Sequence, residues 1–378
     1  MGRPDLSFDQ RVAWLRLARS ARIGPTTFLN FINRYGSADA ALEALPDINA
    51  RAGGTRPLRI CSREEALREL EEADHLTIRH ITYGEAQYPE LLMHISDSPP
   101  IVLVQGSLDL NARPMLALVG SRNASVSGQK MASLLARDVG EQGYVTVSGL
   151  ARGIDTAVHK ASLTSGTVAV LAGGHGRVYP PENIDLARDI VEAGGAVMSE
   201  RRIHSEPRSK DFPRRNRIVS GLALGVVVVE AARRSGSLIT ARLAGEQGRQ
   251  VFAVPGSPLD PRSDGANDLL RQGATLIRSA DDILSDLRPM IEPDGTSPNE
   301  QTPFRFEARS NNDGFDAQHP PEDALHAILN GLSVTPTHVD DIIRFTGLPA
   351  SVVLSSLCEL EFSGRIDRVE GNCVVRTT

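Results

Sequence analysis

The chain has 378 residues, with 41 lysines and arginines against 47 aspartates and glutamates, for a formal net charge of −6. Hydrophobic residues at 40% and charged residues at 23% are ordinary for a soluble globular protein of two or three domains. That balance argues mildly against a general polyanion binder, although a local basic patch acts at short range and can override it. No apolar run is long enough to span a bilayer, and the start MGRPDLSFDQR lacks the apolar region of a signal peptide. Cys61, Cys358 and Cys373 make neither a disulfide framework nor a zinc pattern, so thiols in a reducing cytoplasm are expected.

In chain order, residues 1–75 read as a small helical domain. FDQRVAWLRLARSARIGPTTFLNFINRYGS places apolar groups at helical spacing and breaks at Gly24-Pro25. Residues 76–288 change character. PIVLVQG, MLALVG, YVTVSG, TVAVLAGG, AVMSE, GVVVVEA and QVFAVPG are short apolar runs, most ending in or near glycine, with amphipathic stretches between several of them. Continuous apolar strands alternating with helices predict a doubly wound, mostly parallel α/β sheet buried on both faces. Residues 289–320 are rich in Pro, Asn, Asp, Glu and Gly and read as a flexible linker. Residues 321–378 give three short helices, each ended by glycine, and then the hairpin pattern RIDRVEGNCVVR, which is the winged-helix order.

Ligands of open parallel sheets gather beyond the carboxyl ends of the strands. The first such end runs from MLALV into Gly120, Ser121 and Arg122, with a helix starting near Val126. A glycine there lets the backbone approach an anion, and a helix N-terminus offers free N–H groups. The pattern is not G-x-G-x-x-G, and the next strand runs into Gly149 and Arg152 rather than an acid, which favours phosphate over a ribose hydroxyl. From Arg201 to Arg217 seven cations (Arg201, Arg202, Arg208, Lys210, Arg214, Arg215 and Arg217) face only Glu206 and Asp211. Such crowding calls for an anionic partner. Arg214, Arg215, Asn216 and Arg217, opening a helix near Pro213, could present themselves to the strand ends; alternatively, Arg217 pairs with Glu230 or Glu200. Ser235, Gly236 and Ser237 open a further helix as a candidate anion nest. Asp155 and His159 lie one turn apart, and a helix cap beside a packed histidine is favoured over a catalytic pair.

Together, LVGSRNAS, VSGLARGIDTAVHKASL, TVAVLAGGHGRVYPPEN, FPRRNRIVSGLA, VVVEAARRSGSLITARLAGEQGRQVFAVPG and GANDLLRQGA resemble the DNA-processing protein A (DprA/Smf) family, in its motif order and over about half the chain. The N-terminal region resembles that family's sterile-alpha-motif-like or helix–hairpin–helix-like domain, and the C-terminus its optional winged helix. The resemblance implies a Rossmann-like core that binds single-stranded DNA and forms a homodimer. It also implies loading of a RecA-type recombinase during natural transformation, with no enzymatic activity and no cofactor. By matching motif, Arg122, Arg152 and the arginines of FPRRNR become the phosphate-binding set. The chain departs from the family at Ser127-Gly128, where an aromatic followed by glycine is usual, and at Gly176, where aspartate is common.

Two rival readings carry their own tests in the sequence. A nucleotide phosphoribohydrolase on a related scaffold needs a glutamate in a P-G-G-x-G-T-x-x-E loop, and the comparable SGSLITARL has none. A transcription factor acting through the winged helix needs a basic third helix. PASVVLSSLCELEFSG has no cation, and residues 320–378 hold four arginines against eight acids, so a protein-contact or accessory role is expected there.

Overall fold

The computed structural model describes residues 6–53, 58–291, 322–369 and 372–377. The expected linker beyond Ile291 lies outside them. Two compact units emerge: one holds residues 69–291, and the other joins Leu6–Arg68 to the C-terminal residues from 322 onward.

The first unit is built on a nine-stranded sheet. Its strands are β1 (Ile78–Thr82), β2 (Ile101–Gly106), β3 (Met115–Val119), β4 (Val145–Ser148), β5 (Thr167–Val170), β6 (Ala196–Ser199), β7 (Gly225–Val228), β8 (Gln250–Ala253) and β9 (Thr275–Leu276). Seven of them are the short apolar runs of the sequence; β1 and β9 are additional. The spatial order is β1-β2-β6-β5-β4-β3-β7-β8-β9. From β6 to β9 every neighbouring pair is parallel, while β2 runs antiparallel to β6 and β1 antiparallel to β2.

Burial on both faces follows from the unbroken apolar runs. Along β3, Leu116 and Leu118 pack into one apolar layer, and Met115, Ala117 and Val119 into the other. The helix Val126–Glu141 supplies Ala132, Leu135, Ala136 and Val139 to the first layer. The helices Asp211–Gly221 and Gly236–Glu246 supply Ile218, Val219, Ala241 and Ala244 to the second. The chain therefore leaves β3 toward one face and β7 toward the other. Strand succession also reverses between these two neighbours, which opens a crevice at their carboxyl ends.

In the second unit the helices Phe8–Arg19, Pro25–Tyr35 and Ala38–Arg51 pack around Phe28, Phe31, Leu42 and Leu45. Local chemistry sets their ends. Ser7 and Gln10 form a reciprocal capping box, Pro25 occupies the first helical turn, and Gly36 closes the second helix at φ +76°. The C-terminal residues form the helices Glu322–Gly331, Val339–Thr346 and Ala350–Phe362 and a small antiparallel sheet ordered β10 (Thr337–His338), β12 (Cys373–Arg376), β11 (Ile366–Val369). This is the winged-helix order with one short strand added.

The winged helix is joined to the N-terminal helices by its third helix. Phe362 is fully buried in the N-terminal core, with its ring 5.6 Å from Phe31. Glu359, 1% exposed, pairs with Arg34 at 2.6 Å. Among the described residues no single helix is long and apolar enough to cross a membrane.

Candidate functional site

Beyond β3 the chain turns through Gly120, Ser121, Arg122 and Asn123 into the helix Val126–Glu141, whose N-cap Ser125 accepts from the Gly128 N–H at 2.9 Å. The start of this helix is already occupied. Glu230, buried beyond β7, accepts from the Ser125 N–H at 3.0 Å and from the Ser125 hydroxyl. A Cβ on Gly128 would stand 2.4 Å from the Glu230 Oε2. The Ser121 N–H donates to the Glu230 carbonyl at 2.7 Å. Of the anion-binding groups expected at Gly120, Ser121 and this helix start, the Ser121 N–H and the Ser125 N–H and hydroxyl are thus engaged by Glu230. The chain's own carboxylate complements the helix dipole there, and Gly120 is a glycine because a Cβ would lie 2.5 Å from Ile154 Cγ1.

The backbone groups of Gly149, after β4, are also engaged within the chain. Its N–H donates to Asp155 Oδ2 at 3.1 Å, as does the Ala151 N–H at 3.2 Å. Arg215 reaches in between the ends of β4 and β5 and donates to the Gly149 carbonyl at 2.5 Å and to the Val170 carbonyl. A Cβ on Gly149 would lie 2.5 Å from the Arg215 Nη2. Burial pushes the Arg215 guanidinium down to about 10, with Asp155 opposing that shift and Arg122 adding to it, so it stays charged at neutral pH. Burial likewise raises the Asp155 carboxyl, against the pull of Arg215 and of the two backbone donors.

Arg217 pairs with Glu200 and, at 3.0 Å, with Asp97. Of the two partners considered for it, Glu200 is the one used. Arg215 at 5% exposure and Arg217 at 7% are buried, with the Arg215 Nη1 on the Gly149 and Val170 carbonyls and the Arg217 Nε and Nη2 on Asp97 and Glu200.

The exposed members of the set remain. Arg122 lies with its guanidinium 4.9 Å from the centre of the Phe212 ring, and Tyr179, 46% exposed, meets Phe212 edge-on at 5.6 Å. Arg214 is exposed two residues further along the helix, as are Arg208 and Lys210 just before it. Arg152 is exposed and paired with Glu182, also exposed, so that pair is solvated and exchangeable. Asn216 Nδ2 donates to the Gly236 carbonyl at 3.2 Å, tying this helix to the start of the next. There Ser235 caps the Ser237 N–H and its hydroxyl lies 2.7 Å from that of Ser237; Ser237 is buried and Gly236 exposed. The structure thus brings Phe212 and Tyr179 to Arg122, which charge alone does not single out; the signal in the sequence is an aromatic beside clustered cations.

His159 is a packed core histidine. Its Nδ1 lies 2.8 Å from the Thr167 hydroxyl, and burial pushes its imidazole down to about 3. Asp155 is held by the backbone donors above. Neither group faces an open site. Among the described residues no cluster of His, Cys, Asp or Glu could hold a metal ion.

Comparison with known proteins gives a consistent result. The family model described as DNA recombination-mediator protein A matches residues 79–288. A DprA-like N-terminal HHH domain matches 8–72 and a DprA winged helix domain matches 316–372. Protein Smf of Escherichia coli is 38% identical over 318 residues, covering 83% of this chain and 80% of that protein. The DNA processing protein DprA of Streptococcus pneumoniae is 45% identical over 201 residues, covering 53% of this chain and 71% of that one. Among solved structures, DprA from Streptococcus pneumoniae superposes with a TM-score of 0.59 at 33% identity, over 75% of this chain and 99% of that one. DprA from Helicobacter pylori, described for its single-stranded DNA binding mode, gives 0.52 at 26%, over 56% and 96%.

Two outcomes are expected from the site's packing. Gly153 holds φ +75°, and a Cβ there would lie 2.3 Å from the Ser121 carbonyl. Gly153→Ala should lower the unfolding free energy by on the order of 2–4 kcal/mol in a urea titration. Gly236→Ala, where a Cβ meets nothing within 4 Å, should change it by less than about 0.5 kcal/mol. The second outcome concerns His159, whose imidazole is depressed in the fold from 6.5 to about 3, so the unfolded chain binds the extra proton. Stability should therefore fall as pH drops below 6.5, and keep falling toward 3, with a slope approaching about 1.4 kcal/mol per pH unit. His175, pushed down to about 4 by burial, adds in the same direction. His159→Gln should flatten that slope in denaturant midpoints measured between pH 7 and 4.

Proposed function

The chain belongs to the DNA recombination-mediator protein A family, and on that premise we propose that its core binds single-stranded DNA beyond the carboxyl ends of β3, β5 and β6. The observation that carries this reading is Arg122 laid over Phe212, with Tyr179 at the ring's edge. Cations track a phosphate backbone, and exposed aromatic faces stack unpaired bases irrespective of their identity. Duplex DNA keeps its bases stacked on one another and has no use for such a platform.

The buried cation beneath supports the same reading. Arg215 keeps its charge at the strand ends beside Asp155, close enough to Arg122 for the two cations to act on each other. The helix start that would hold a nucleotide's phosphates in this fold is filled by Glu230, which disfavours the phosphoribohydrolase reading. We read the site as one that binds and releases a strand without altering it. The strand then passes to a RecA-type recombinase during natural transformation, in keeping with the family's description as a recombination mediator. We further propose that the working form is a homodimer through the core. At the edge strand β9 the apolar Leu276 is 48% exposed, a side chain that a second copy would cover.

Arg122→Ala should weaken binding of a single-stranded oligonucleotide about tenfold whatever its sequence, and reduce the log–log salt slope by roughly 0.7. Arg122→Lys should recover the slope but only part of the affinity, because an ammonium lacks the flat face that lies over Phe212. Phe212→Ala should cost about 1–3 kcal/mol of binding with the salt slope unchanged. If folded Arg122→Ala protein binds with unaltered affinity and slope, the interface lies elsewhere. Light scattering at micromolar concentration should report a dimer, and Leu276→Glu should shift it to monomer.

A further inference from the structure

We propose that the third helix of the winged-helix domain is a latch for the N-terminal helical domain rather than a reader of DNA, so that the two ends of the chain hold each other as one module. The inference is independent of the DNA-binding reading of the core.

Four contacts of different chemistry converge on one stretch of this helix. Glu359, 1% exposed, is paired with Arg34 at 2.6 Å and has Arg51 at 3.9 Å. The Asn30 amide donates to the Cys358 sulfur at 2.8 Å. The Arg22 guanidinium donates to the carbonyls of Ser363 at 3.1 Å and Phe362 at 3.4 Å, which are among those left open at a helix C-terminus. The Phe362 ring is absent from its own domain's apolar core and present in that of the N-terminal helices. From Ser356 to Leu360 every residue is buried.

A helix used this way cannot enter a major groove. Groove-reading helices need an exposed face with cations or amides to meet phosphate and base edges. Here the C-terminal half is enclosed. The exposed positions of the N-terminal half, Ala350, Ser351 and Leu354, carry no charge. The one charged side chain that this face offers toward the N-terminal helices is an acid, and the side chains that receive it are arginines.

The test uses the full chain with a specific protease site inserted between Ile291 and Glu322. After cleavage, the C-terminal piece should co-elute with the remainder in gel filtration at micromolar concentration. Glu359→Arg in the same background should release it, and Arg34→Glu combined with Glu359→Arg should restore co-elution at least in part. That rescue separates a lost latch from a misfolded domain. Affinity for a single-stranded oligonucleotide and for a duplex should change less than twofold on cleavage. Elution of the unsubstituted piece on its own would overturn the proposal. So would co-elution that survives Glu359→Arg, or a tenfold loss of duplex binding when the piece is released.

Discussion

The carboxyl ends of the core's strands depend on one buried guanidinium. Arg215 donates to the carbonyls of Gly149 and Val170, which end two neighbouring parallel strands, and shares its surroundings with Asp155. Strand ends in a parallel sheet leave carbonyls without ladder partners, and an unpaired buried carbonyl is costly. Arg215 satisfies two at once, and Asp155 does the same for the N–H groups of Gly149 and Ala151. The loops after β4 and β5 are thereby fixed from below. Arg122, one loop away, is then free to lie on Phe212 instead of mending the sheet.

The same logic applied at β7 gives the opposite sign. Glu230 completes the first turn of the neighbouring helix and removes the anion site for which this topology is generally used. A fold suited to nucleotides thus presents a closed helix start and an open cationic, aromatic surface beside it. The difference rests on which of the chain's own charges were placed inside.

Much of the fold was legible because seven strands are short apolar runs, most ending in or near glycine, a pattern set by local chemistry. β1 was not, since Arg79 and His80 interrupt its apolar residues, and β9 is only two residues long. The site was legible as a charge cluster but not as a geometry. Arg214, Arg215 and Arg217 look alike in sequence. What distinguishes them lies far along the chain: the carbonyls met by Arg215 are 66 and 45 residues away, and Glu200, which holds Arg217, is 17. Glu230 and Ser125 are 105 residues apart. Phe212 carries no charge and went unremarked for that reason. In the third helix of the C-terminal domain the absence of cations was legible, but nothing in its residues pointed to the chain's own first helices.

Arg22 and the Phe362 carbonyl that it binds are separated by 340 residues. During synthesis the first three helices leave the ribosome with the face around Phe31 uncovered. At typical elongation rates the residue that covers it arrives roughly 20–70 s later. Throughout that interval the entire nine-stranded sheet is being made, and the bare N-terminal face is available to chaperones or to its neighbours on the same messenger. Packing of this helical domain is therefore completed only by a segment made 340 residues after its own Arg22.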